Sequence, residues 1–170
     1  ESDPLKTIRH ALTLVKEDGA VTTINVGNGV YSPSTNGEIF PIVVPDNVHL
    51  IGANVQWTKL DAQANEDAEA AVMIILEVEN VRVANMTLTG GYSEGHGCTG
   101  GGGLLLAAND MFNLDGDSGN NIATSTPVIE NVVIKDNHSH NGGGLATFRV
   151  NGPVLNNVEI SGNVATAFGG

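Results

Sequence analysis

Pro127-Val128-Ile129-Glu130-Asn131-Val132-Val133-Ile134 and Pro153-Val154-Leu155-Asn156-Asn157-Val158-Glu159-Ile160 carry one pattern twice, at an offset of 157 − 131 = 26 residues. Asn137 and Asn163 continue the match at the same offset. Upstream, Asn85-Met86-Thr87-Leu88 and Asn47-Val48-His49-Leu50 repeat its centre: asparagine, an apolar residue, a variable one, an aliphatic one. Two or three apolar residues at period two cannot bury themselves alone. Stacked about 4.8 Å apart, similar short strands bury one another in a shared cylinder. Asparagines recurring at one position then form a ladder of side-chain amides. The pattern predicts a right-handed parallel β-helix, all-β apart from one helix. From Asn85 to Asn131 the offset is 131 − 85 = 46, which is 20 more than the repeat. One coil is therefore expected to carry a long loop insertion, at about 104–126. Glycine runs at 100–103, 142–144 and 169–170 follow the later copies and suit turns with φ > 0.

Ahead of the repeats, Asp3-Pro4 reads as an N-cap followed by a first-turn proline. Leu5, Ile8, Ala11, Leu12 and Val15 recur at helical spacing, and Gly19 closes the segment. The spacing predicts one amphipathic helix over roughly 4–17. Strands are expected at 22–26, 42–44 and 48–51, with Gly27-Asn28-Gly29 as a turn. The chain is read as one domain, with the cap helix and first coil in 1–52 and further rungs in 53–170.

Composition agrees with a solenoid. Apolar residues make up 41% and charged residues 15%, against the balance of a disordered chain. Aromatics are only 4% and glycines number 22, which suits small aliphatic cores and many turns. Seven Lys and Arg against 19 Asp and Glu leave a net charge of −12. That excludes nucleic acid, whose phosphates need a basic surface, and docking on anionic lipid. No apolar run approaches the ~20 residues of a membrane helix, so no membrane insertion is expected. The single cysteine, Cys98, can form no intramolecular disulfide and is read as structural.

Five segments then follow one another in order: Thr7-Ile8-Arg9-His10-Ala11-Leu12; Ile24-Asn25-Val26; Gly29-Val30-Tyr31-Ser32; Gly37-Glu38-Ile39-Phe40-Pro41-Ile42; and Val48-His49-Leu50-Ile51-Gly52. This run, residues 5–52, resembles the uncharacterised domain that opens many right-handed β-helix proteins of the pectate-lyase-like superfamily. Thr58-Lys59-Leu60-Asp61 and the stretch 83–91 look like the rungs that normally follow. Ile160-Ser161-Gly162-Asn163 and Gly169-Gly170 are similar to the glycine-rich repeats of bacterial adhesins and autotransporter-like surface proteins. The resemblance implies a helix capping the first coil and an extracellular or cell-surface location. It does not choose an activity, because the superfamily holds lyases, hydrolases, epimerases, adhesins and phage tailspikes.

Lyases on this fold pair calcium-binding carboxylates with a basic residue, and hydrolases use clustered aspartates. The nearest candidate here is Asp136 with His138, His140 and, beyond the glycine run, Arg149. His10 and His49 are read as structural. Asn113, Asp115 and Asp117 place oxygen ligands as an EF-type calcium loop opens. The loop departs from that pattern, with Ser118 at the place of the sharp-turn glycine and Thr124 at the place of the last glutamate. Calcium is the one cofactor expected. Glu66, Asp67 and Glu69 form a solvated acidic stretch, and the glycines at 100–103 lack the Lys-Ser/Thr of a phosphate loop.

The expected function is a non-catalytic surface module with a structural, adhesive or glycan-binding role. The alternative is a polysaccharide lyase or hydrolase, or the N-terminal part of one. Polysaccharide is the expected partner, together with self or another chain at the C-terminal rung. Phe168-Gly169-Gly170 stops inside the kind of glycine run that earlier leads to another strand. The last coil is therefore expected to continue in a longer chain or to be covered by another one.

Overall fold

The computed structural model describes residues 4–94, 100–108, 126–150 and 152–169. The chain winds about four turns of a β-solenoid behind one short helix. The first coil holds β1 (Thr22–Val26), β2 (Gly29–Tyr31) and β3 (Ile42–Val43), and the second β4 (Val48–Gly52), β5 (Thr58–Asp61) and β6 (Met73–Leu76). The third holds β7 (Arg82–Thr89), β8 (Tyr92–Ser93) and β9 (Leu104–Ala107), and the fourth β10 (Val128–Lys135), β11 (His138–Asn141) and β12 (Leu145–Phe148). A last partial coil holds β13 (Val154–Ser161) and β14 (Val164–Phe168). Each strand pairs in parallel with its counterparts in neighbouring coils. The sheets run β1-β4-β7-β10-β13 (β5 also pairs with β7, and β2 with β5), β14-β11-β8 and β12-β9-β6-β3. Inward side chains fill the cylinder with aliphatics and methionines, among them Leu50, Leu60, Met73, Met86, Leu88, Leu106, Ile129 and Ile134, all essentially solvent-free.

The repeat register is as the sequence predicts. Val128 to Lys135 pair with Val154 to Ser161, 26 residues on. Asn85, Asn131 and Asn157 sit at one corner, each with φ between +50° and +58°. Asparagine tolerates this left-handed conformation better than most side-chain-bearing residues, which lets one eight-residue strand turn the corner. Asn131 Nδ2 donates to Asn85 Oδ1 at 3.2 Å, and Asn157 Nδ2 to Asn131 Oδ1 at 2.8 Å. Asn131→Ala removes both ladder bonds and the left-handed preference. The expected loss is roughly 1–3 kcal/mol, read from the midpoint of chemical denaturation. A loss below half of that would detach the ladder from stability.

Asn47 belongs elsewhere. Leu50 pairs with Val83, so Asn47 falls opposite Asn80 rather than Asn85. Asn80 Nδ2 donates to Asn47 Oδ1 at 2.8 Å, making a second ladder at another corner. A third joins Asn137 and Asn163, where Asn163 Oδ1 accepts from both the backbone and side-chain N–H groups of Asn137 at 3.0 Å.

The helix, α1 (Ile8–Thr13), is shorter than the expected 4–17. Thr7, not Asp3, is its N-cap and accepts from the His10 amide at 3.2 Å. The buried Glu38 carboxylate takes the Ile8 and Arg9 amides at 2.7 and 3.1 Å, which sets the start of the first turn. Ile8 is 3% exposed, and Leu12 and Val15 pack on the core beside it, so the helix covers the first coil as expected. The insertion also begins later than 104, because Leu104–Ala107 is a fully buried strand between β6 and β12. Relative to the fourth coil, extra residues fall in two places: between Ser93 and Leu104, and between Ala107 and Val128.

Candidate functional site

The small sheet β8-β11-β14 carries a cluster of titratable and hydroxyl side chains drawn from three coils. Its strands alternate, so Ser139 points inward and bonds the Ser93 carbonyl at 2.9 Å. His138 and His140 flank it on the outer face. The third and last coils supply their partners. His138 Nε2 lies 2.6 Å from Glu94 Oε1, and His140 Nδ1 lies 3.6 Å from Glu94 Oε2. Thr166 Oγ1 donates to the Glu94 carboxylate at 2.9 Å and lies 3.2 Å from His140 Nδ1. The Tyr92 and His138 rings stack 4.5 Å apart with planes within 6°. One carboxylate, two imidazoles, a hydroxyl and a phenol thus span three coils on a rigid strand face.

Electrostatics follow from that geometry. Partial burial pushes the Glu94 carboxyl up. The Thr166 hydroxyl, the His138 hydrogen bond and the charges of His138 and His140 outweigh it and hold the carboxyl below its ordinary value. Partial desolvation, then Glu94, Glu66 and Glu69, push the Tyr92 phenol up. A carboxyl lowered by folding stabilises the fold above the ordinary carboxylate range. That contribution fades as pH falls through the lowered value. Glu94→Gln is therefore expected to lower the thermal midpoint at neutral pH and to match wild type in strong acid. An equal deficit at both extremes would contradict the assignment.

Of the four residues expected to form a catalytic group, His138 and His140 come together. Asp136 turns its carboxylate to Lys135 at 3.7 Å. Arg149 lies past the end of β12, on a different sheet, with its guanidinium 5.4 Å from the centre of the Phe148 ring. The structure adds Glu94, Thr166 and Tyr92, which the sequence reading passed over. The repeat offsets could have found two of them: 46 residues before His140 stands Glu94, and 26 after it stands Thr166. Asn113, Asp115 and Asp117, the calcium candidates, lie outside the described residues, as does Cys98. Among the described residues, no three His, Cys, Asp or Glu side chains are placed to hold a metal ion. No helix of the described residues is long and apolar enough to cross a membrane.

An open groove of about 660 Å³ lies between α1 and β1, away from this face. Leu5, Ile8, Leu14, Val15 and Ile24 line it together with Thr22, Thr23, Asn25 and Tyr31, whose hydroxyl donates to the Gly27 carbonyl at 3.2 Å.

Fold and face together define a parallel β-solenoid with a helix-capped first coil and a polar strand-borne cluster. A family model described as a protein of unknown function (DUF1565) matches residues 1–59, the segment that forms the cap, the first coil and the start of the second. No curated protein and no solved structure matches the chain.

Proposed function

We propose that the chain is an extracellular, cell-surface β-helix module of the pectate-lyase-like kind that binds carbohydrate on the β8-β11-β14 face. One observation carries this reading: His138, His140 and Thr166 on β11 and β14, and Glu94 at the end of β8 with Tyr92 beside them, meet on one face of adjacent parallel strands. Strand spacing of about 4.8 Å sets such groups at fixed intervals. A sugar chain offers repeating hydroxyls and apolar ring faces. Polar groups already locked by one another lose little freedom on binding, which is how weakly hydrophobic ligands are held. Affinity electrophoresis against neutral, uronate-rich and amino-sugar polysaccharides tests it. Retardation by at least one class, weakened about tenfold in His138→Ala, is the expected result. No retardation by any class would end the reading.

A polysaccharide-active enzyme is the second reading. The 2.6 Å contact between His138 and Glu94 favours it, since a carboxylate-oriented imidazole suits proton transfer. Release of reducing ends or unsaturated uronates from the same panel, abolished by Glu94→Gln, would select it over plain binding.

A further inference from the structure

Trp57 is the chain's only tryptophan, and it stands on the outside of the second coil. It is 66% exposed, although tryptophan is on average a highly buried residue. A loose backbone is not the reason. The turn that presents it, 53–58, is tied to the coils on both sides. Towards the first coil, the Ala53 amide donates to the Val26 carbonyl at 2.8 Å and the Thr58 hydroxyl to the Gly27 carbonyl at 3.3 Å, while the Trp57 carbonyl accepts from the Gly29 amide at 2.7 Å. Towards the third, the Val55 carbonyl accepts from the Thr87 hydroxyl at 2.7 Å. Within the turn, the Trp57 and Thr58 amides donate to the Asn54 carbonyl at 3.2 and 2.8 Å, and the Gln56 amide to Asn54 Oδ1 at 2.9 Å. An indole held out on so fixed a backbone loses little freedom when a ligand stacks on it.

Register gives its surroundings. Thr58 is solvent-free and points to the core, so Trp57 and Lys59 point outward. Gly29 pairs with Thr58 and Val30 with Lys59, which sets Asn28 beside Trp57 and the 44% exposed Val30 on the diagonal. The glycines on either side of Asn28 carry no side chain and leave that flank of the indole open. Asn28, Gln56 and Lys59 make no side-chain hydrogen bond among the described residues. We propose that Trp57 is a stacking platform for one pyranose ring of a glycan, with Asn28, Gln56 and Lys59 at its rim to bond the ring hydroxyls. The C–H face of the sugar lies on the indole, and its edge meets amides and an ammonium group, the division of labour of an aromatic ligand site. A protein partner fits this spot poorly. The indole exposes roughly 150 Å², against about 800 Å² per partner in a stable interface, and its rim is mostly polar. The site shares a ligand class with the β8-β11-β14 face but no residue, so either can fail alone.

A single tryptophan makes the test direct, because emission excited at the red edge, where tyrosine does not absorb, comes from Trp57 alone. The full chain is titrated with cellohexaose, xylohexaose, mannohexaose and hexagalacturonate, each up to about 10 mM. A saturable blue shift with at least one of them is expected. Calorimetry with that sugar then compares variants in a His138→Ala background, so that the other face contributes little. Trp57→Tyr keeps an aromatic ring and is expected to hold the Kd within about threefold; Trp57→Leu keeps only apolar bulk and is expected to raise it at least about tenfold. The side chain is exposed, so both variants should fold, as circular dichroism can verify. No saturable shift with any of the four sugars overturns the proposal, and so does a Trp57→Leu protein that binds like wild type. Polysaccharide retardation that His138→Ala weakens, with Trp57 emission unchanged, puts all binding on the other face and overturns this site alone. A blue shift that grows with protein concentration in the absence of sugar makes a second copy the occupant and overturns it as well.

Discussion

Gly91→Ala is expected to cost about 3 kcal/mol, a large fraction of the stability of an ordinary domain. Backbone strain is not the reason, since Gly91 has no positive φ. Space is the reason. A β-carbon built there runs into the Gly102 carbonyl and presses on Val72 Cγ2 at 3.1 Å. Neither side can yield cheaply. The Gly102 carbonyl accepts from the Val72 amide at 2.9 Å. Gly91 is itself held twice, its N–H by Asn137 Oδ1 at 2.9 Å and its carbonyl by the His138 amide at 2.8 Å. Moving either segment breaks bonds that seat the third coil on its neighbours. Gly27→Ala is the control, because its nearest atom is the Tyr31 hydroxyl at an ordinary 3.7 Å. Urea melts should separate the two variants by at least about 2 kcal/mol. Equal midpoints would show that the Gly91–Gly102 approach is not tight in solution.

The same contact shows where sequence reading stops. Glycine runs announce turns, yet the turn is not what demands Gly91; the bend at Gly102, distant in sequence, does, and no local pattern encodes it. The last two coils are legible because their inward aliphatics and corner asparagines recur 26 residues apart, and packing imposes both. Asn47 misled because asparagine followed by aliphatics marks more than one corner of the coil. Its partner, Asn80, precedes Val81 and Arg82 and lacks the later extension of the pattern. Asp3-Pro4 suggests a helix start earlier than the observed one, because the true start is set by a buried acceptor that arrives from 30 residues downstream. In the candidate site the histidines were visible as adjacent residues. Glu94 and Thr166 were not, because contact across coils is a property of register and appears only when the offsets are applied to polar residues as well as to apolar ones.

That downstream acceptor is the strongest test of the cap. Glu38 is 1% exposed, and its carboxylate holds the first two helical amides of α1, those of Ile8 and Arg9. A helix of six residues has too few internal bonds to stand alone. Its anchors are Ile8, Leu12 and Val15 on the core, Thr7 at the N-cap, the Asn36 side-chain amide on the Lys6 carbonyl at 2.9 Å, and Glu38. Glu38→Ala removes the acceptor of the Ile8 and Arg9 N–H groups, the first of them buried, and of the longer Ile39 contact, and opens a void. Each unmade bond costs about 1–3 kcal/mol, so the expected loss is roughly 3–5 kcal/mol. Glu38→Gln keeps one carbonyl oxygen as acceptor and should recover about half. The first sign should be local, with faster hydrogen exchange at the Ile8 and Arg9 amides while the buried strands of the third coil stay protected. Once α1 lifts, the edge of β1 and the side chains of Val26 and Ile42 meet water, and aggregation should follow at higher concentration. A Glu38→Ala protein that kept its midpoint within 1 kcal/mol, with α1 amides still protected, would mean that the apolar face of the helix holds the cap without the carboxylate.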